Sequence, residues 1–396
     1  MRYVGTTVRG IRTPIIKEND DLVRIVSDSL ITASEKENFK IRNKDIIGIT
    51  EAVAAIAESN FVTVDDVATD IKSKFPNGHI GLLFPTPVSR NRFAPFLKGI
   101  ARGLDKITMQ LSFPNDEVGN QLFPEELLED YNISYDAVLN ESDYNKYFKD
   151  FKHHFTGINY IEFFRDLVKA ENCEIEFIFA NDPKEILKFT KDVLVCRVHT
   201  RDKVKKTILN NGGETVYKLD EIMNKSIGGS GFNPDFGLLG SNIVTDEKLK
   251  LLPKDGQSLV DSIQALIKEK TDKLVEVMIF ADGAFKDPVC GIWELADPVV
   301  SPAYTSGLEG TPNEIKLKYI ADNKYANLKG EALKDALKDE IKAKEENLKG
   351  KKDSLGTTPR RLTDLIGSLC DLTSGSGDKG TPVIHLSGYF DSLADD

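Results

Sequence analysis

The sequence predicts a mixed α/β protein with several layers, because helix-like and strand-like segments alternate at both ends of the chain. Near the start, an amphipathic segment at residues 19–34 precedes the short apolar run "KDIIGIT". Near the end, "SLVDSIQALIKEKT" leads into "VEVMIF", which indicates a helix followed directly by a buried strand, and Ser258 with Asp261 resembles a capping box. The 396 residues exceed what one ordinary core accommodates, so we expect two or three domains.

The first predicted helix combines an acidic start with one apolar face. Asp20 and Asp21 stand at its beginning, where carboxylates interact favourably with the positive end of the helix dipole. Its apolar residues recur at positions 22, 25, 26 and 30. After "KDIIGIT", the small residues of "EAVAAIAES" predict a helix or turn that packs against that strand.

The middle of the chain, residues 79–225, is predicted to be a mixed α/β region. Its strand candidates are "HIGLLF", "EIEFIFAND" and "DVLVCRVHT", and the second alternates apolar and polar residues as a half-buried strand does. The flanking parts are residues 1–78 and 226–396. The second of these includes a strongly charged helix at 328–350, which we expect to be an exposed insertion or an oligomer contact.

Composition argues against several functional classes. A net charge of -11 and a pI near 5.2 disfavour nucleic-acid binding, which needs a basic face. No apolar run approaches the ~18–20 residues of a membrane span, and the N-terminus lacks a signal-peptide core. The four cysteines form no CxxC pair, and none of the five histidines has metal-ligand spacing. We therefore expect a cytoplasmic protein whose histidines are structural.

A carboxylate follows one buried strand directly. In "VEVMIFADGAFKDP", residues 275–288, Asp282 stands where the apolar strand should reach the surface. A carboxylate at the carboxyl end of a strand is well placed to hold a hard cation, which prefers oxygen ligands. The alternative is an aspartate that caps the next turn.

Two glycine-rich loops are candidates for phosphate binding. The first, residues 226–244, has the sequence "SIGGSGFNPDFGLLGSNIV", and the second, residues 374–382, is "SGSGDKGTP". Glycines expose backbone N–H groups without side-chain obstruction, which suits a phosphate or a nucleotide. The alternatives are an irregular connection for the first loop and a flexible surface loop for the second.

Basic residues cluster in "SRNRFAPFLKGIARGLDK", within the middle region. Arg90, Arg92 and Arg102, with two lysines, could receive an anionic substrate in an otherwise acidic protein. The alternative is the solvated face of a helix.

The order of these segments resembles the F-420-0:gamma-glutamyl ligase family. "GLLGSNIV" matches a family loop through Ser241 and Asn242, "LLPKDG" matches a second motif, and "ADGAFKDP" a third through Asp282, Phe285 and Pro288. "RGIRTPIIKENDDL", "DIIGITEAVAAIAES" and "DKGTPVIHLSGY" resemble the opening and closing segments. The likeness covers roughly residues 1–75 and 226–390 and implies the family's fold, interrupted by an inserted subdomain.

The resemblance implies a ligase that joins L-glutamate to a phosphorylated deazaflavin acceptor through a gamma-linked amide. It also implies GTP (or ATP), Mg²⁺ or Mn²⁺, and a homodimer. On this basis Asp282 would be a catalytic metal ligand. Residues expected to contact or enclose the nucleotide are Gly10, Ser241, Asn242, Gly375, Gly377 and Gly380.

Several side chains depart from the family pattern. The family's metal-binding aspartate falls at or near Leu239, so Asp235 is the candidate to replace it. The hydroxyl after the second aspartate is lost at Gly283, and phosphate contacts are lost at positions 52, 55 and 56. The basic cluster of the middle region could supply the missing cations. These departures leave a second interpretation open, a diverged nucleotide-binding or scaffold protein without catalysis.

Overall fold

The structure is a computed structural model that describes residues 3–84, 90–116, 121–153, 157–281, 284–286, 293–295, 300–354, 357, 360–374 and 378–395. The side chains of 90–93, 284–286 and 293–295 are outside this description. The strands are β1 Thr7–Ile11, β2 Ile46–Thr50, β3 Phe61–Thr63, β4 His79–Phe84, β5 Lys106–Leu111, β6 Leu139–Asn140, β7 Glu174–Phe179, β8 Asp192–Val195, β9 Thr215–Lys218, β10 Asn242–Thr245, β11 Lys248–Lys250, β12 Glu276–Phe280, β13 Ala284–Lys286, β14 Trp293–Leu295, β15 Ala303–Tyr304 and β16 Val383–Ser387.

The α-helices are α1 Leu22–Lys36, α2 Glu51–Ala57, α3 Val64–Lys74, α4 Arg90–Arg102, α5 Glu126–Asp130, α6 Glu141–Phe148, α7 Tyr160–Ala170, α8 Arg201–Asn210, α9 Gly256–Thr271, α10 Leu317–Lys324, α11 Gly330–Ala343 and α12 Leu362–Ser374. Short 3-10 helices cover Pro183–Lys188, Leu219–Glu221, Ser306–Leu308, Lys352–Ser354 and Leu393–Asp395. The expected mixed α/β fold class is therefore confirmed. Over the described residues, the chain contains no helix with the length and apolarity that a bilayer crossing requires.

A five-stranded sheet joins the two ends of the chain. Its strand order is β1-β16-β2-β12-β15, and only β2 and β12 are parallel neighbours. One face is covered by α1 and α9, which bury apolar residues such as Leu30 and Ile263 against it. The other face is covered by α12 through Ile366 and Cys370. The sheet is thus the middle layer of a three-layer unit.

One end of this sheet gathers four connections, and we call it the carboxyl edge. Strands β1, β2 and β12 end there at Ile11, Thr50 and Phe280, and β16 begins there at Val383. The Thr50 N–H donates to the Pro382 carbonyl oxygen over 3.0 Å. Loops that leave or enter at the same edge of a sheet lie close together, which places this edge among the candidate sites.

A six-stranded sheet occupies the middle of the chain. Its order is β6-β7-β5-β4-β8-β9, with only β6 antiparallel to its neighbour. Helices α3, α4 and α7 pack on one face, and α8 with the 3-10 helix Pro183–Lys188 packs on the other. The parallel strands carry continuous apolar runs because both of their faces are buried.

A three-stranded sheet, β10-β11-β3, attaches the six-stranded sheet to the rest of the molecule. Its inward residues share one core with the six-stranded sheet, and that core runs from Val62 to Leu251. This unit is wider than the 79–225 range expected from the sequence. Whether the middle region is an insertion relative to the family stays a prediction.

The chain enters and leaves this unit at Asn60, which is buried. The Asn60 side-chain amide donates to the Phe232 and Leu252 carbonyl oxygens over 2.9 and 2.8 Å, and its Oδ1 accepts the Phe232 N–H over 2.9 Å. The Asn60 carbonyl oxygen accepts the Leu251 N–H over 3.0 Å. One asparagine therefore binds the entering strand to the departing segment.

Two local expectations were wrong. Helix α9 begins at Gly256 after Asp255, so Ser258 lies inside the helix and forms no capping box with Asp261. The charged helix expected at 328–350 ends at Ala343, because Lys344 adopts an extended backbone conformation. The strands expected around residues 46–50, 79–84, 174–179, 192–195, 276–280 and 383–387 are confirmed.

Candidate functional site

A groove of about 1300 Å³ opens beside the carboxyl edge. It is lined by residues 9–14 at the end of β1, by one face of α1, and by Thr373, Lys379 and Thr381 before β16. Two segments were expected to enclose a nucleotide. Gly10 of the first lines this groove, and Gly380 of the second lies between two lining residues, Lys379 and Thr381.

The groove carries an excess of positive charge. Four cations, Arg9, Arg12, Lys36 and Lys379, line it against the two carboxylates of Asp28 and Glu37. Within the described part of the chain, Arg12, Lys36 and Lys379 have no carboxylate partner. In a protein of net charge -11, this local excess favours an anionic ligand.

Two glycines shape the groove for different reasons. A Cβ at Gly10 would lie 2.9 Å from the Thr381 Cβ, so glycine permits the close approach of β1 to the segment before β16. Gly380 has φ +66°, a left-handed backbone conformation that costs free energy for residues other than glycine. Gly375 and Gly377 lie outside the described residues.

A buried ion pair lies at the carboxyl edge where β2 ends. Glu51 begins α2 and is 7% exposed, and Lys250 at the end of β11 is 8% exposed. The Lys250 Nζ donates to Glu51 Oε1 over 3.1 Å, whereas Glu51 Oε2 is buried and accepts no hydrogen bond from any described residue. A buried carboxylate oxygen without a donor is unusual, since most buried polar atoms are paired.

Ser241 and Asn242 lie close to this pair. Asn242 is directly opposite Lys250 in the β10–β11 ladder, so the two side chains share one face of the three-stranded sheet. The Asn242 Oδ1 accepts the Ile243 N–H over 2.9 Å. Ser241 is 2% exposed, and its buried hydroxyl has no partner within the described ranges. The carboxyl edge thus combines several polar groups with unused hydrogen-bonding capacity.

The central carboxylate of the sequence analysis, Asp282, lies outside the described residues. The residue before it, Ala281, is buried at the carboxyl edge, where its N–H donates to the Val300 carbonyl oxygen over 2.9 Å. Asp235 is exposed in a turn in which its N–H donates to Asn233 Oδ1. Leu239 is buried in the apolar core, which agrees with its inability to ligate a metal.

The described residues do not form a metal site by themselves. No group of three or more His, Cys, Asp or Glu side chains suitable for a cation occurs within the described ranges. Among the described residues, Glu51 Oε2 at the start of α2 is a buried carboxylate oxygen without a partner, and Glu58 Oε1 at the end of the same helix is another. A cation at the carboxyl edge would require Asp282 in addition.

Arg102 is engaged by three carboxylates. Its Nε donates to Glu171 over 2.7 Å, and its Nη1 donates to Asp65 over 2.7 Å and to Glu247 over 2.9 Å. The hydrogen bond from Arg102, and to a smaller extent the one from Lys98, lower the pKa of Glu247 to about 2. This geometry gives Arg102 a structural role between α4 and the β10–β11 hairpin. The side chains of Arg90 and Arg92 are outside the description.

Sequence reasoning missed Glu51 and Lys250. The signal for Glu51 was present, because it follows the buried strand "IIGIT" much as Asp282 follows "VMIFA". Lys250 carried little signal, because a lysine between Leu249 and Leu251 predicts only an outward-facing strand position.

The family comparison covers nearly the whole chain. The model of the family described as F420-0:Gamma-glutamyl ligase matches residues 10–388. No curated protein matches the chain. The matched range includes the last two residues of β1, the carboxyl edge, the six-stranded sheet and strand β16. The chain therefore belongs to the F420-0:gamma-glutamyl ligase family.

Proposed function

We propose that this protein is a ligase that uses GTP or ATP, with Mg²⁺ or Mn²⁺, to join L-glutamate by an amide bond to a small phosphorylated acid. Membership in a ligase family supports amide ligation in general. A cytoplasmic location and a homodimer belong to the same proposal.

The observation that carries the proposal is the cationic groove at the carboxyl edge. Arg12 and Lys379 approach it from two different segments of the chain, and Gly380 supplies an unobstructed turn beside them. Phosphate groups are bound by such combinations of charged side chains and exposed backbone N–H groups. We therefore place the nucleotide phosphates in this groove.

The divalent cation would neutralise charge on the transferred phosphoryl group when it is bound. Since the described carboxylates do not complete a cation site, we assign its position to no described residue. The roles left to the described residues are binding and orientation. Arg12 and Lys379 would hold the phosphates, and the polar groups near Asn242 would face the reacting end.

Thermal unfolding with nucleotide and manganese tests the proposal. We expect GTP or ATP with Mn²⁺ to stabilise the protein by about 3 kcal/mol at a hundredfold excess over Kd. Arg12→Ala and Lys379→Ala should each reduce this shift. Lys318→Ala, which removes an exposed cation on α10, should not. No shift with either nucleotide would contradict the ligase, and an unchanged shift in both groove variants would contradict this location.

One observation favours a second candidate function, nucleotide binding without catalysis. Leu239, at the position where the family resemblance places a metal-binding aspartate, is part of the apolar core. A protein that binds nucleotide but releases no phosphate in the presence of L-glutamate and phosphorylated carboxylic acids would support this alternative.

A further inference from the structure

The buried pair Glu51–Lys250 has both a hydrogen-bond acceptor and hydrogen-bond donors that no described residue uses. Glu51 Oε2 lacks a donor. The Lys250 ammonium has three N–H donors, and Glu51 is its one partner among the residues that the structure describes. A desolvated carboxylate and ammonium that are only partly paired are costly, because each loses hydration that its partner replaces only in part.

The position of the pair connects it to the proposed reaction. Glu51 is the first residue after β2, and the end of β2 is level with the end of β12 in the sheet. Lys250 comes from β11, opposite Asn242. Both residues are buried, and their side chains keep about a tenth of their surface exposed, at 9% and 10%.

We infer that Glu51 and Lys250 recognise the zwitterionic head of an α-amino acid. Glu51 Oε2 would accept a hydrogen bond from the ammonium group, and the Lys250 Nζ would donate to the α-carboxylate. This inference rests on the proposed function, in which L-glutamate supplies the amino group. It assigns the recognition of that substrate to two residues of this chain.

The zwitterion accounts for both unused groups together. A phosphate would satisfy Lys250 but would repel Glu51, and a metal cation would bind Glu51 but would repel Lys250. A ligand with adjacent positive and negative charges matches the pair in both sign and order. Because Oε2 is covered in this structure, binding requires a local shift at the start of α2, which hydrogen exchange of residues 51–54 would report.

Calorimetric titration with three ligands tests the assignment. L-Glutamate carries both head groups, glutarate lacks the ammonium, and 4-aminobutyrate lacks the α-carboxylate. We expect the unmodified protein to bind L-glutamate at least tenfold more tightly than either analogue. Glu51→Gln should abolish the preference over glutarate, and Lys250→Met should abolish the preference over 4-aminobutyrate.

Lys74→Met is the matched control. Lys74 forms a comparably buried pair with Asp70, on α3, and its loss should leave the L-glutamate affinity within about twofold. If a single variant fails to fold, the double variant Glu51→Gln/Lys250→Met removes both charges and should lose both preferences.

Two results would overturn the inference. One is an unmodified protein that binds L-glutamate no more tightly than the two analogues. The other is a folded Glu51 or Lys250 variant that retains the full preference. Both are separable from failure of the proposed function, because the nucleotide-dependent thermal shift is measured without an amino acid.

Discussion

Two buried lysine–carboxylate pairs in this molecule differ in how completely they are satisfied. In the six-stranded unit, the Lys74 Nζ lies 2.5 and 2.6 Å from the two oxygens of Asp70, and Asp70 Oδ2 also accepts the Met223 N–H over 2.7 Å. At the carboxyl edge, Lys250 makes one 3.1 Å hydrogen bond to Glu51 among the described residues, and none of these residues donates to the other Glu51 oxygen. The burial of the two pairs is similar.

The difference separates a structural role from a binding role. Asp70 uses both of its oxygens to hold α3 and the segment at Met223 together, so nothing remains for a ligand. By contrast, Glu51 Oε2 and two of the three Lys250 N–H donors have no partner among the described residues. Buried polar groups that are fully paired make a fold rigid, whereas unpaired ones are expected where a ligand completes them.

The largest effect is expected from Asp70→Ala. The substitution leaves the Lys74 ammonium buried without a counter-ion and the Met223 N–H without an acceptor, which should cost about 3–5 kcal/mol of unfolding free energy. Urea denaturation measures this loss. A loss under 1 kcal/mol would remove the contrast between the two pairs, since Asp70 would then not be structural.

Asn60→Ala should follow, because Asn60 connects the two regions that contain these pairs. The substitution leaves the Phe232 N–H and the Phe232 carbonyl oxygen without partners and removes one of the two donors to the Leu252 carbonyl oxygen, which Asn233 retains, at about 3 kcal/mol in all. Asn60→Asp is the informative companion, because it retains the acceptor for Phe232 but loses the two donors. Equal stability of the alanine variant and the unmodified protein would show that the connection does not depend on this side chain.

Arg102→Met should have a moderate effect of about 1–2 kcal/mol at low salt, since it breaks a partly exposed network. The effect should shrink at 1 M salt, where exposed charges are screened. Because the pKa of Glu247 is lowered to about 2, its contribution is present above the ordinary value of 4.5 and is lost as pH falls toward 2. Lys203→Met, which removes an exposed lysine of α8, is the control. Equal losses at both salt concentrations would contradict the electrostatic origin.

The double variant Glu51→Gln/Lys250→Met should change the stability of the ligand-free protein little, or raise it by about 1 kcal/mol. Removing a poorly satisfied buried ion pair as a unit eliminates its desolvation penalty. Chemical denaturation without ligand measures this, and a loss above 3 kcal/mol would assign the pair the same structural role as Lys74–Asp70.

The smallest effect is expected from Glu58→Gln and depends on pH. Burial raises the pKa of Glu58, although the Lys254 N–H donates to its carboxylate. A raised pKa means that the carboxyl favours folding below its ordinary pKa of 4.5 and loses this contribution as pH rises through the raised value. The variant should therefore unfold at a slightly higher temperature than the unmodified protein at pH 7 but not at pH 4.

The sequence was sufficient for the elements that follow simple periodicity. Strands β2, β12 and β16 were predicted because central strands buried on both faces have continuous apolar runs. Strand β5 was not predicted, because its start at Lys106 was assigned to the basic cluster. The family was recognised from short motifs in the correct order, and the match to residues 10–388 confirms it.

The candidate site was harder to predict because it depends on distant segments. Arg12 and Lys379 are separated by most of the chain and share a groove only because β1 and β16 are neighbours in the sheet. The pairing of Glu51 with Lys250 likewise depends on the three-stranded sheet, which no local pattern specifies. Arg102 was a reasonable anion-binding candidate from the sequence, and only the fold reveals its three carboxylates.

At Asn60 the segment that enters the six-stranded unit meets the segment that leaves it, and this proximity has a consequence for protein engineering. Strands β3 and β11 are adjacent, with Thr63 opposite Lys248, so the long excursion between them starts and finishes at one point. The strands of the five-stranded sheet all lie outside the segment between β3 and β11. Replacing that segment in the gene, or moving the chain termini into it by circular permutation, would therefore leave each of those strands intact. Expression of residues 60–252 as a separate polypeptide would show whether the excursion is an autonomous folding unit.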